Sequence, residues 1–312
     1  MTGRLAVVTG ATGFLGRRLV PGLARRGWRV RVLSRRAPEA GLWGETEPEI
    51  VRGDLDDRDA LARLSEGADL VIHAAGLIKA RDRAAFMAVN EAGAAAAASA
   101  ALAAGSRLLL VSSLAAREPA LSDYAASKAA GEAAARAVFG ETLSVLRPPA
   151  IYGPGDQETL ALFRLAARSS LLPLPGDTRA RLALAHVDDV CDLAAWLAER
   201  PTPGTWAAGG ARPEGYAWRD VFETAGKVLG RRADLMPIAP WLLRAAGAAS
   251  EAAGHLTGRP AIFSRGKARE LLHPDWSVSP KEQAPGAPPA RFDLEAGFAD
   301  AVAWYRSAGW LA

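Results

Sequence analysis

Apolar residues cluster first at Leu5–Val8, a short and partly β-branched run with the pattern of a fully buried strand. Phe14, Leu15, Leu19 and Leu23 then recur at helical spacing. Trp28–Leu33 alternates apolar and charged residues, which predicts a second strand, and residues 37–48, rich in Pro, Gly and Glu, predict a loop. Glu49–Val51 predicts a third strand, a helix begins near Arg58, and Asp69–His73 predicts a fourth strand. An alanine-dominated helix is expected over 84–104, a fifth strand over Ser106–Val111 and a helix from Tyr124. Further on, the pattern predicts a helix near Thr159–Ala167, a turn at Pro173–Gly176, and strand end plus helix over His186–Leu197. Leu294, Phe298, Val302 and Tyr305 predict a closing amphipathic helix after a Pro-rich loop at Lys281–Ala290.

Between the first strand and the first helix stand Gly10, Gly13 and Gly16. In a strand–turn–helix unit, the first glycine permits the tight turn and the second lets backbone approach a pyrophosphate. The third lets helix and strand pack closely, while the helix N-terminus turns free N–H groups toward the phosphates. This arrangement points to a bound dinucleotide.

At 312 residues, 50% apolar and 23% charged, the chain has the composition of a globular enzyme of one large or two joined domains. Its net charge of +4 comes mainly from scattered arginines. No basic stripe with interleaved aromatics appears, which argues against nucleic-acid binding. The single cysteine, Cys191, excludes an intrachain disulfide. Without a leader pattern or an uninterrupted apolar run of membrane length, the expected compartment is the cytoplasm and no transmembrane segment is expected.

The end of the second strand bears on cofactor choice. An acidic residue there would bind ribose hydroxyls and repel a 2′-phosphate. Here Ser34, Arg35 and Arg36 follow, and a hydroxyl with guanidinium groups suits a phosphate, which favours NADP(H) over NAD(H). Asp54 is placed to accept from an adenine amino group or to cap the helix starting near Arg58. Ala74, Ala75 and Gly76 are small enough for backbone to lie against a cofactor, and His73 before them reads as a structural residue. The alanine-rich helix serves either as a buried core helix or as a dimer face.

Tyr124 and Lys128, four apart, share one helix face. A phenol near pKa 10 is a poor acid or base at neutral pH, and a neighbouring ammonium lowers it by stabilising phenolate. Behind a glycine-rich turn and a strand-end Ser112–Ser113, this pair points to proton transfer at a carbonyl or alcohol.

With these motifs in place, the chain resembles the extended, epimerase/dehydratase-like branch of the short-chain dehydrogenase/reductase superfamily. The matching stretches are Thr9–Gly16, Gly53–Leu55, His73–Gly76, Val89–Asn90, Val111–Ser113, Tyr124–Lys128, Leu146–Asp156 and His186–Val190. The resemblance implies an α/β fold: a doubly wound parallel Rossmann sheet of about seven strands with a smaller C-terminal substrate-binding lobe. Residues 1–150 would form the dinucleotide-binding domain, with 181–208 returning to it, and 151–180 with 209–312 the substrate lobe. Tyr124 would be the general acid/base, Lys128 would hold the nicotinamide ribose and tune the phenol, and Ser113 would bind the reacting oxygen. Asn90 would hold a relay water. Gly10, Thr12, Gly13, Phe14, Leu15, Gly16, Ser34, Arg35, Arg36, Asp54, Leu55, Ala74, Ala75 and Gly76 would line the cofactor, with Pro148 and Ile151 beside the nicotinamide. A homodimer is also implied.

Two departures stand out. Leu114–Arg117 replaces a stretch that many nucleotide-sugar enzymes of this branch carry, and Tyr124 follows only eleven positions after Ser113. Ser34–Arg35 replaces the acidic ending of NAD-bound epimerases. The sequence therefore favours an NAD(P)H-dependent oxidoreductase acting on a carbonyl or secondary alcohol of a small-molecule substrate. The alternatives are a nucleotide-sugar epimerase or dehydratase with retained cofactor, and a non-catalytic dinucleotide-binding module. Asp188 and Asp189 read as helix caps, and no metal is expected. Seven of the nine tryptophans lie from Trp196 onward. The Leu235–Gly254 segment reads as a lid or core helix, or as an apolar entrance resting on a membrane surface, as hydroxysteroid-dehydrogenase-like members suggest by resemblance.

Overall fold

β1 (Leu5–Thr9) is buried along its whole length, because it runs through the middle of a sheet covered on both faces. The computed structural model describes residues 3–176, 179–257, 260–261 and 263–311. Its chain divides into two compact units, Met1–Arg147 with Cys191–Trp206, and Pro148–Val190 with Ala207–Ala312.

In the first unit, β1 leads through the glycine turn into α1 (Phe14–Arg25). There follow β2 (Arg29–Ser34), β3 (Glu49–Arg52), α2 (Arg58–Ser65) and β4 (Leu70–His73). Next come α3 (Arg83–Asn90), α4 (Ala92–Ala103), β5 (Arg107–Val111), α5 (Asp123–Phe139) and β6 (Ser144–Arg147). With the strand Gly204–Ala207 at one edge, the seven-stranded order is Gly204–Ala207, β6, β5, β4, β1, β2, β3. The pairings among β1–β6 are parallel, and the order reverses beside β1, the place where ligands of doubly wound sheets bind. The expected Rossmann architecture is present.

The alanine-rich segment runs helical from Arg83 to Ala103 with one irregular residue, Glu91 (φ −92°, ψ −63°), which still donates to the Met87 carbonyl and accepts from Ala95 N. Just before it α5 lies so close that a Cβ on Gly131 would collide with the Asn90 carbonyl. Asp54 does not cap α2; Asp57 does, accepting from Ala60 N at 2.9 Å. The combined stretch Arg83–Ala103 is long and apolar enough to cross a membrane by length and composition. Its Ala94, Ala98 and Ala101 nevertheless belong to the core of this unit, with Leu61, Leu64 and Leu108.

The second unit is held by Tyr152, Phe163, Phe298 and Tyr305, whose rings meet edge-on or tilted at 5.0–5.7 Å. The closing helix, Leu294–Ser307, buries Leu294, Phe298, Val302 and Tyr305, the four positions its periodicity marks. Short parallel pairs complete the unit, Ala150–Tyr152 with Leu184–His186 and Leu171–Pro175 with Asp234–Ile238. Asp189 lies inside the first turn of the helix Val187–Glu199 and does not cap it. Its carboxylate accepts from Arg291 N (2.9 Å) and Phe292 N (3.2 Å), so it anchors a distant loop of the same unit.

Candidate active site

The glycine turn separates fold requirements from ligand requirements. Gly10 has φ +73°, and a Cβ there would lie 2.6 Å from the backbone of Ala74 and Ala75. A Cβ on Gly16 would collide with the Gly10 carbonyl and Ala11 backbone. Both glycines are therefore needed to close the turn onto the sheet. Gly13 differs: its φ is an ordinary −79°, and an added Cβ would meet only the Gly10 carbonyl, at 3.3 Å. The start of α1 is less crowded at Gly13 than at Gly10 or Gly16, and free backbone N–H groups there favour an anion. Trp43, from the 37–48 loop, braces the turn by donating Nε1–H to the Ala11 carbonyl at 3.0 Å.

At the end of β2, Ser34 is buried and its hydroxyl donates to the Arg36 carbonyl at 2.7 Å. Arg35 and Arg36 are exposed. Arg35 lies 4.0 Å from the exposed Asp54 carboxylate, a loose pair that leaves its guanidinium accessible. Asp54 Oδ1 accepts from Leu55 N at 2.8 Å.

The strand ends β4 and β5 gather the remaining polar groups. His73 is buried with Nδ1 2.9 Å from Thr9 Oγ1. Burial, then the charge of Lys128, holds its pKa down to about 3, so the imidazole is neutral and serves structure. Thr9 Oγ1 also accepts from Ala75 N at 3.3 Å, tying the Ala74–Gly76 bend to β1. Asn90 is buried: Oδ1 accepts from Leu77 N at 2.7 Å, and Nδ2 donates to Leu77 O (3.0 Å) and Ser127 Oγ (2.8 Å).

Lys128 Nζ donates to the Val111 carbonyl at 2.9 Å, and a Cβ on Gly76 would lie 3.6 Å from Nζ and 3.0 Å from Asn90 Oδ1. Lys128, Asn90 and Gly76 thus converge at the carboxyl ends of β4 and β5. Burial lowers the Lys128 pKa to about 8, opposed by the charge of Glu132 one turn further along α5. Glu132 is itself held by Arg147 through two short bonds, 2.8 and 2.6 Å. Tyr124 is half-buried in the first turn of α5, its ring centroid 6.1 Å from that of Phe86. Ser113 Oγ caps the short turn Leu114–Arg117 by accepting from Ala115 N at 3.2 Å. Ser112 Oγ is buried without a partner among the described residues, so it retains an unused polar atom.

Thr12, Phe14 and Leu15 lie on the glycine turn and the first turn of α1. Pro148 and Ile151 belong to the second unit, where Pro148 is buried and Ile151 pairs with Ala185. Four supporting residues were not singled out from the sequence. Ser127 and Trp43 carry no local signal of their partners. Glu132 does, as a carboxylate four residues after Lys128, and Arg147 is its counterion.

The model of the NAD dependent epimerase/dehydratase family matches residues 6–209. The chain belongs to this family. It is an enzyme of the extended short-chain dehydrogenase/reductase type. Relatives within reach include a protein named ceramide reductase from Caulobacter vibrioides, 50% identical over 98% of this chain and 96% of its own. A 2-alkyl-3-oxoalkanoate reductase from Stenotrophomonas maltophilia is 32% identical over 66% of this chain and 68% of its own. The fold is that of the Thermus thermophilus UDP-glucose 4-epimerase solved with NAD: TM-score 0.71, 22% identity, 97% of this chain and 99% of that one. The family is NAD dependent, and the less crowded turn at Gly13 with the small residues Ala74–Gly76 fits such a dinucleotide.

Proposed function

We propose that the protein is an NADP(H)-dependent reductase of a ketone or aldehyde carried on a lipid of the ceramide class, working through Ser113, Tyr124 and Lys128. The observation that carries this reading is the buried ammonium of Lys128, fixed by the Val111 carbonyl one helical turn from Tyr124 and next to Gly76. A burial-weakened ammonium is a strong local field for a phenol, because low dielectric magnifies its charge. The nicotinamide, when bound, supplies the hydride that reaches the carbonyl carbon.

The chain's own groups handle position and proton. Ser113 would donate to the carbonyl oxygen and polarise it. Tyr124 would deliver its phenolic proton to that oxygen, yielding the alcohol. Lys128 would stabilise the phenolate left behind, and Asn90, held rigid by Leu77 and Ser127, would orient a water that returns the proton. Exposed Arg35 and Arg36 beside Ser34 support a 2′-phosphate, hence NADP(H).

The substrate class rests on the named ceramide reductase, a relative that spans nearly all of both chains. The short connection from Ser113 to Tyr124, occupied by the turn Leu114–Arg117, supports a lipid carbonyl over a sugar nucleotide. Incubation with NADPH deuterated at C4 and a ceramide bearing a ketone tests the reading. The expected product is an alcohol with one deuterium on the former carbonyl carbon and an equal amount of NADP. Isomerised substrate with no net cofactor oxidation would overturn it in favour of an epimerase.

A further inference from the structure

The helix Pro240–Thr257 in the second unit is amphipathic, and its apolar side is uncovered. Trp241, Ala245, Ala249, Ala252 and Leu256 recur every three or four residues, so they form one stripe, and all five are exposed. Trp241 is 64% exposed, Leu256 89%, and Leu242 beside the stripe 45%. The opposite side holds the helix to the chain that follows it. A Cβ on Gly247 would lie 3.0 Å from the Ser264 carbonyl, Ser250 Oγ accepts from Phe263 N at 3.3 Å, and Glu251 pairs with Arg265 at 3.3 Å. This helix is therefore docked by its small and polar side and turns its large apolar residues to solvent, the reverse of an ordinary surface helix.

Charge along this part of the chain names the partner. Residues 227–270 contain eight Lys or Arg and three acidic residues. All three acids are engaged, Asp234 with Arg232 at 3.0 Å, Glu251 with Arg265 at 3.3 Å and Glu270 with Lys267 at 3.3 Å, while Lys227 pairs with Glu295 at 2.6 Å; a basic excess remains. Arg244, at the edge of the stripe, is exposed and has no ion pair among the described residues. A second copy of this chain would bring two such basic segments together, which like-charge repulsion disfavours. An apolar helical stripe with a tryptophan near its start and a basic border matches the interface of an anionic bilayer. There the apolar side chains enter the acyl boundary, tryptophan sits at headgroup level, and arginine reaches back to phosphate.

We infer that the helix Pro240–Thr257 docks the enzyme on anionic phospholipid membranes, with Trp241, Leu242 and Leu256 inserted and Arg244 at the headgroups. The proposed function bears on this only by giving a reason for it: a lipid substrate would be met in the bilayer.

Cosedimentation of the full-length protein with vesicles, without cofactor or substrate, tests docking separately from reductase activity. Vesicles of phosphatidylcholine alone are compared with vesicles containing about one-third phosphatidylglycerol. The expected result is binding that is at least about tenfold stronger with phosphatidylglycerol and weakened by salt. The double variant Trp241→Ser/Leu256→Ser, with an unchanged melting temperature, should lose about tenfold or more of that binding, and Arg244→Glu several-fold. Equal or absent binding to the two vesicle types overturns the inference, and so does full binding by the double variant. A wild-type dimer that the double variant converts to monomer would also overturn it, because a second copy would then cover the stripe. Failure of ketone reduction in detergent-dispersed substrate would sink the proposed function and leave the docking result standing.

Discussion

Replacing Lys128 with methionine should make the protein more stable and inactive at once. The ammonium is pushed down to about 8 from 10.5 by burial, a difference equivalent to about 3 kcal/mol of native-state cost at neutral pH. Methionine keeps the length of the stem and removes the charge. It leaves the Val111 carbonyl without the 2.9 Å bond from Nζ, a loss of about 1–2 kcal/mol. The expected net gain is about 1–2 kcal/mol at pH 7.

Its pH dependence is fixed by linkage. Below about pH 8 the amine is protonated in both folded and unfolded chains, so the penalty on the wild type is constant. Between about 8 and 10.5 the unfolded chain still holds the proton and the folded chain has released it, so wild-type stability rises with pH. Above 10.5 both states are neutral and the penalty is gone. Urea unfolding of both proteins at a series of pH values reads this directly. The advantage of Lys128→Met should be full at pH 7 and shrink across that window, while NADPH oxidation falls to background. A variant less stable than wild type at pH 7, or a gap that ignores pH, would refute the reasoning.

Other substitutions probe the same site. His73→Leu should flatten the acid limb of unfolding: the wild-type imidazole, neutral when folded down to about 3, contributes stability present above 6.5 and lost as pH falls toward 3, by up to about 5 kcal/mol. An unchanged acid limb in the variant would count against this assignment. Gly13→Ala should leave the melting temperature near wild type and weaken NADPH binding about tenfold or more, whereas Gly16→Ala should cost about 1–3 kcal/mol of stability because its Cβ strikes the Gly10 carbonyl; calorimetric titration and thermal melts separate the two. Arg35→Glu should reduce the NADPH-over-NADH preference about 10- to 100-fold, measured as the ratio of dissociation constants, and an unchanged ratio would remove Arg35 from the phosphate site.

Much of the first unit is legible because its signals are local. A buried strand, three glycines and an amphipathic helix must follow in that order for the turn to close, and Gly10 and Gly16 are dictated by contacts within that short stretch. The Tyr124–Lys128 spacing is likewise a property of one helix. What the sequence hides is set by tertiary contact. Gly131 lies against the Asn90 carbonyl, the partner of Asp189 lies about a hundred residues away, and Trp43 reaches the glycine turn from an irregular loop. The second unit is harder still: a turn is expected at Pro173–Gly176, but Leu171–Pro175 pairs as a strand with Asp234–Ile238 despite three prolines. The uncovered stripe on Pro240–Thr257 shows the opposite limit. Its apolar residues are visible in the sequence, but which side meets solvent depends on Gly247 facing Ser264 and Arg265 and on Ser250 bonding Phe263 N.

The most direct test of the account is absorbance-monitored oxidation of NADPH by wild type and Tyr124→Phe with a ketone-bearing ceramide, alongside cofactor titration of both proteins. The account predicts one NADPH consumed per alcohol formed by the wild type, with turnover lost in Tyr124→Phe and its NADPH affinity kept. Undiminished turnover in Tyr124→Phe, or product formed by the wild type with no NADPH consumed, would contradict it.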